Sequence, residues 1–541
     1  MFERSHRDFH KVLCDLPDEL LVKVLLNLDG YSLLQAQRTN VRLCRLIRDE
    51  KALQYSSELS IAGMEDGPES APFTVEERMA RLKDYVSAWE ELKCRGQDAF
   101  TVRNPSLWAV TGGLVSYGEI TPKTGSTKLV FRKLQSRTRC IHGQKWMHEV
   151  PVEVQLFTAD LSQDLFVFAS MRPSTTAHSR TLRIAFNHIS TGGSHVKAKH
   201  PFIDHEVPFE PIPSEVLVCL NYVTISCKEF VELDHDVEDT DGGETVFFVY
   251  DWLTGELKYR IKDHIQYFTF LSHKDVLFMV THKAQQFACM LVIVDVNNQH
   301  SPDRCSVTTT LLLPELLPGS KVPDVFVHSR PRFTPMSGFA TSDRVPFRTA
   351  PESRLVAITI RFYPASPYIF CVPLSTIKPF MSNESRDVSK LADCIEHGIP
   401  WEKWGAKGSS IITDAGISDV CFTWGSRCVF PSIGRRHRAR YIKVCDFNPL
   451  ALKRRIGTTE VQLRGGSLQR FPLLVFDPNT ISKGEDFVED VTTSLPYWVG
   501  NAGKLHAQHV LILEDHLVFV NDGGDNEDED EVYTINIYEI S

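Results

Sequence analysis

The chain predicts a small all-α unit followed by a large all-β domain, and the β domain reads as a seven-bladed β-propeller with divergent repeats. Three observations carry this reading. Apolar residues recur at helical spacing over 16–47 and again over 76–92. From residue 108 onward the pattern changes to short β-branched and aromatic runs that fall into seven pairs. Those pairs fill residues 106–541 without a helix-rich interruption. Radial repetition suits them better than a sandwich, which finishes within a far shorter chain; six or eight blades, or an irregular multi-sheet β domain, are the alternatives.

The helical unit comes first. Pro17 fits the first helical position, and Asp18 and Glu19 follow in the first turn, where negative charge favours the helix dipole. Leu20, Leu21, Val24, Leu25 and Leu28 recur at steps of three and four residues. Gly30 reads as the stop. Ser32 and Gln35 read as a capping box opening a second helix with Leu33 and Leu34 on its apolar side. Asn40 reads as the cap of a third, which carries Val41, Leu43, Cys44, Leu46 and Ile47. Three helices in about 35 residues bury little surface, so the unit is expected to need a partner.

The stretch Leu16-Pro17-Asp18-Glu19-Leu20-Leu21 and the helices after it resemble an F-box. The resemblance implies docking on a Skp-type adaptor and, through it, entry into a cullin–RING ubiquitin ligase. It assigns the adaptor contact to Leu16, Pro17, Leu20, Leu21, Val24, Leu25, Leu28, Leu33 and Leu34, and leaves the rest of the chain to hold a protein substrate. The chain departs from the family in its third helix, with Thr39-Asn40 and Leu43 where many F-boxes carry Val-Cys and then Trp. Read without the resemblance, the same helices would close a domain with no partner.

Between the two units, Met79, Leu82, Val86, Trp89 and Leu92 mark a bridging helix, preceded by a Gly-, Asp- and Pro-containing turn at 63–72. The expected division is therefore an F-box at 1–60, a helical linker at 61–105 and the β domain at 106–541. The seven paired runs are 107–118 with 128–134, 155–170 with 182–189, 216–226 with 245–252, 268–280 with 289–296, 354–362 with 368–373, 420–431 with 441–446, and 510–520 with 532–540. Val246-Phe247-Phe248-Val249-Tyr250 shows no apolar–polar alternation, as a strand buried on both faces would read. Asp251-Trp252-Leu253-Thr254-Gly255-Glu256 is similar to the end of a WD-type blade. The order of this motif, Leu53-Gln54-Tyr55, Gly63-Met64, the run 160–165 and Pro400-Trp401-Glu402-Lys403-Trp404-Gly405 resembles F-box proteins of mushroom-forming fungi across nearly the whole chain.

Composition narrows the function. Hydrophobic content of 42% and charged content of 24% describe a globular chain. A net charge of −10 opposes generic nucleic-acid binding, because phosphates would repel the chain. The first residues are charged and lack an apolar stretch, so no signal peptide is expected, and no run reaches the length needed to cross a bilayer. The 13 scattered cysteines contain no Cys-x-x-Cys pair and read as reduced thiols, which points to a cytoplasmic or nuclear setting.

Chemical motifs are few. The run 234–244 is acidic, but an EF-hand starting at Asp234 would need Gly where Asp239 stands. The acidic run 522–531 reads as a solvated loop, and the basic cluster Arg435-Arg436-His437-Arg438-Ala439-Arg440 as a charged hairpin, with a nuclear-import signal or a handle for an acidic partner as the other readings. His142 and His148 near Cys140 lack a second close thiol for a metal, and no phosphate loop, nucleophile elbow or zinc helix occurs. The leading expectation is a substrate receptor with no catalysis and no cofactor of its own. An F-box-derived scaffold outside any ligase, and a propeller enzyme with an axial site, are the alternatives.

Overall fold

The computed structural model describes residues 13, 16–103, 105–121, 123–173, 179–207, 211–229, 244–282, 288–298, 301–317, 324–331, 344–362, 367–413, 415, 421–433, 440–459, 473–504, 509–522 and 532–541. The acidic stretches 234–243 and 523–531, basic residues 435–439 and Cys14 lie outside them.

Four helices open the chain: α1 (Asp18–Leu25), α2 (Gly30–Thr39), α3 (Val41–Asp49) and α4 (Lys51–Ala62). Pro17 occupies the cap position ahead of α1 rather than its first turn. The cap of α2 is Asp29, not Ser32: its carboxylate accepts the Ser32 amide at 2.9 Å, which helps hold that carboxyl below its ordinary pKa. Gly30 is therefore the first residue of α2 rather than the terminator of α1, since a short carboxylate one residue earlier meets the free amides of the first turn. Asn40 caps α3 as expected, accepting from the Arg42 amide at 2.7 Å. The fourth helix is an addition to the three that were expected. Gly63 ends it in the left-handed region at φ 69°.

Strand Met64–Asp66 then pairs antiparallel with Phe347–Thr349. At Gly67 an added Cβ would lie 1.9 Å from Val345 O, so only glycine allows this approach. Helix α5 (Val75–Glu91) follows, opened by a Thr74–Glu77 capping box.

The β domain holds seven radial sheets, and the seven paired runs correspond to them one for one. Blade 1 comprises Pro105–Thr111, Leu114–Thr121, Ser126–Lys133 and Gln144–Val150; blade 2, Leu156–Asp160, Leu165–Pro173, Arg180–His188 and Phe202–Val207. Blade 3 runs Pro211–Cys219, Tyr222–Glu229, Thr245–Asp251 and Glu256–Asp263. Blade 4 contains Ile265–Phe270, Asp275–His282, Ala288–Asp295 and Cys305–Leu312, with Arg386–Val388 added outside. Blade 5 is Asp324–His328, Leu355–Arg361, Tyr368–Pro373 and Ser410–Ile412. Blade 6 is Phe422–Trp424, Arg427–Ile433, Arg440–Asp446 and Tyr497–Lys504, with Leu473–Val475 outermost. Blade 7 takes His509–Ile512, His516–Asp522 and Val532–Ile540 from the C-terminal end, and its outer strand, Cys94–Arg103, from before blade 1.

That last pairing runs from Cys94–Ile540 to Arg103–Val532 and closes the ring by joining both ends of the domain in one sheet. The stretch 61–105 thus holds a strand as well as a helix. Its sequence, Cys-Arg-Gly-Gln-Asp-Ala-Phe-Thr-Val-Arg, is too polar to read as a strand because it forms the blade's outer edge.

Helices and ring share one apolar core. Tyr55, Leu59, Leu82, Tyr85, Ala88 and Trp89 are buried against Trp424, Val429, Val444 and Trp498 of blade 6 and the inner strands of blade 7. The guanidinium of Arg427 lies 4.6 Å over Trp89, and Tyr85 Oη donates to Glu514 O at 2.8 Å. Helix α6 (Pro449–Thr459), inserted in blade 6, completes the joint. Arg455 pairs with Glu90 at 3.1 Å and lies 4.6 Å over Trp498, while Asn448 donates to Ile61 O at 2.8 Å.

Candidate functional site

Two places on the molecule gather side chains of possible function. The first is the helical unit. Leu21 (1% exposed), Leu25 (3%) and Leu33 (0%) form its core with Leu43, Leu46, Ile47 and Leu53, and Leu16 and Leu28 pack at the edge. Leu34 is half-buried. Pro17, Leu20 and Val24 face outward, the last two at 46% and 41% exposure and one turn apart on α1. Of the nine residues assigned to an adaptor, three are therefore exposed, three are half-buried and three are interior.

Leu26, Tyr31 and Val41, which the adaptor assignment left out, stand 43%, 59% and 78% exposed. Twelve large apolar side chains are exposed among the described residues, and five of them fall between 20 and 41. Scattered single ones are ordinary; this concentration on a small helical unit marks an interaction surface. Arg42 fixes the unit's geometry by reaching from α3 to Asp18 and to Leu16 O, the latter at 2.8 Å.

The second place is the ring axis at the end carrying the helices. A cavity of about 210 Å³ is bounded by inner turns of several blades, among them Gly112-Gly113, Asp160–Ser162 and Glu514–His516, and by Glu65 and Pro68 of the linker. On its wall Arg139 pairs with Glu514 at 2.7 Å and Asp515 at 2.6 Å, all nearly buried. Glu514 also accepts from Thr349 Oγ1 at 2.9 Å. Burial raises the Glu514 carboxyl, opposed by the adjacent guanidinium. His516 is held below an ordinary imidazole, chiefly by burial, and bonds Gln135 O at 2.8 Å. These contacts tie blade 7 to blade 1 and to the strand Phe347–Thr349 that pairs with the linker. Among the described residues no group of three or more His, Cys, Asp or Glu is arranged to hold a metal ion.

The thiols give a consistent picture. Cys219, Cys371 and Cys445 are buried as expected. Burial pushes Cys227, Cys289 and Cys305 up to about 12 and Cys428 to about 11. His148 stacks on Phe166 at 5.8 Å and bonds Ile189 O at 2.7 Å. No helix among the described residues is long and apolar enough to cross a membrane.

Comparison with known proteins matches residues 13–55 to the F-box-like family. No curated protein matches the chain in sequence. Among solved structures, the chain is similar to the acylaminoacyl peptidase of Pyrococcus horikoshii (8% identity, TM-score 0.35), covering 77% of this chain and 49% of that one. It is also similar to the β-propeller domain of the Trilobed protease from Pyrococcus furiosus (8% identity, TM-score 0.34), covering 83% and 97% respectively. The tricorn protease matches at 10% identity and TM-score 0.30, over 65% of this chain and 30% of that one. The chain thus spans about half the length of the peptidase. These likenesses are too distant to bear on function.

Proposed function

We propose that this chain is the substrate-recognition subunit of an SCF-type cullin–RING ubiquitin ligase, of the kind found in mushroom-forming fungi, working in the cytoplasm or nucleus. The observation that carries the reading is the set of exposed apolar side chains Leu20, Val24, Leu26, Tyr31 and Val41 inside the stretch that matches the F-box-like family. A Skp-type adaptor would cover them, with Leu21, Leu25 and Leu33 supporting the helices from within. The propeller would hold the target protein, since its rim loops vary without disturbing the sheets.

On this reading the chain makes no bond itself. A thioester-forming ligase needs an accessible thiol of lowered pKa. The raised thiols named above are the opposite, and Cys140 is the exposed one among the described cysteines. Reconstitution tests both halves. With activating and conjugating enzymes, adaptor, cullin and RING protein, the chain should increase ubiquitin transfer to a bound target. Without cullin and RING protein it should carry no ubiquitin thioester on a non-reducing gel. A dithiothreitol-sensitive adduct abolished by one Cys→Ala change would overturn the receptor reading. Failure to join the adaptor would leave a scaffold acting outside a ligase.

A further inference from the structure

Blade 2 carries an arrangement that the proposed function does not use. The loop 189–201 joins its third and fourth strands, on the same end of the ring as the helices. Two imidazoles stack here, His188 at the end of the third strand and His195 within the loop, with ring centroids 4.1 Å apart and planes at 26°. His188 Nδ1 lies 3.1 Å from Asp164 Oδ2, and its Nε2 accepts the Val196 amide at 3.1 Å. His195 Nε2 lies 3.1 Å from Gln163 O, and its Nδ1 accepts the Lys197 amide at 3.2 Å.

These contacts determine both tautomers. Each ring must carry its proton on the nitrogen facing an oxygen, Nδ1 in His188 and Nε2 in His195, so that the other can accept a backbone N–H. Two consecutive amides of one exposed loop therefore hang on two neutral imidazoles. A second proton on His195 would turn its acceptor nitrogen into a donor aimed at the Lys197 amide and place a charge 4.1 Å from the stacked His188 ring.

The loop also bridges blades. His195 packs edge-on against Trp252 of blade 3 at 4.9 Å, and the Lys199 amide donates to Leu253 O at 2.9 Å. Gln163 Nε2 and Trp252 Nε1 both donate to Leu220 O, at 2.9 and 2.8 Å. We infer that His188 and His195 form an acid-released latch that fixes the 189–201 loop across the seam between blades 2 and 3.

The charged and titratable groups facing the pair are few. Asp164, from the turn before the second strand, faces His188 and also accepts from Ser190, while Lys197 lies beside His195 within the loop. Blade 1 contributes His148, bonded to Ile189 O, and blade 3 contributes the neutral Trp252. Burial most of all, then His188 and Lys197, depress His195, against the pull of Gln163 O and Asp164. The sign follows. With a folded value below the unfolded one of about 6.5, the stabilisation is complete at pH 7 and above and disappears as pH falls through the lowered value.

Hydrogen exchange on the full chain tests this. After correction for intrinsic rates, protection of the Lys197 amide should fall about tenfold or more between pH 7.5 and 5.0. The H188Q/H195Q variant, whose amide oxygens accept without titrating, should show equal protection at both pH values. Unchanged wild-type protection at pH 5.0, or the same loss in the variant, would overturn the latch. If the variant does not fold, ring nitrogen resonances of the histidine-labelled wild type decide. Nδ1–H on His188 and Nε2–H on His195 at pH 7.5 would support it, and the opposite tautomer or a charged ring on either would refute it.

Discussion

Leu20 and Leu21 are neighbours in sequence with opposite duties. Leu21 is interior, so Leu21→Ala should cost about 2–5 kcal/mol of the helical unit's stability, read as loss of helical signal on heating. Leu20 is half in water, so Leu20→Asp should leave the melt nearly unchanged. The apolar spacing identified both residues but not their sides. The 20/24 and 21/25 rows are both apolar, and only packing against α2 and α3 decides which row is interior. Arg139 illustrates what spacing cannot reveal at all, because its partners Glu514 and Asp515 lie some 375 residues away. Arg139→Met would leave two carboxylates buried beside one another and should destabilise the chain by about 3–5 kcal/mol, measured by denaturant unfolding.

At the level of elements, the seven paired runs were legible because the second strands, such as Leu114–Thr121, Leu165–Pro173, Asp275–His282 and Leu355–Arg361, are buried along most of their length on both faces. Leu355–Arg361, with all seven of its residues buried, is the extreme case. The outer strands were not legible. Gln144–Val150 and Glu256–Asp263 face solvent along one side and mix Lys, Glu and His with their apolar residues. The same reason hid Cys94–Arg103 within a stretch read as helical linker. A chain beginning at residue 105 would lack this strand and leave the edge of Val532–Ile540 unpaired. It should aggregate or lose its single cooperative melt on size-exclusion and calorimetry; a monomeric product with an unchanged melt would argue against closure by this strand. Removal of 532–541 should have the same consequence from the other end.

For the whole molecule, the helices and the ring are one body. Trp89 and Tyr85 are interior to a core built from α4, α5 and blades 6 and 7, so the exposed apolar face of α1 is held at a fixed position relative to the ring. A partner on that face and a target on the propeller would then stand at a set distance, which is what raises the effective concentration of one for the other. The resemblance at Leu16–Leu21 was enough to suggest the partner; the rigid joint that makes it useful depends on residues far apart in sequence, such as Glu90 with Arg455. The most direct test is calorimetric titration of the full chain with a purified Skp-type adaptor. The account predicts a dissociation constant of about micromolar or tighter for wild type. Leu20→Asp with Val24→Asp should weaken it about 100-fold or more, with the melt preserved, whereas Ile212→Asp, an exposed apolar position on blade 3, should bind like wild type. Equal affinity in the double mutant, or no binding by the wild type, would contradict it.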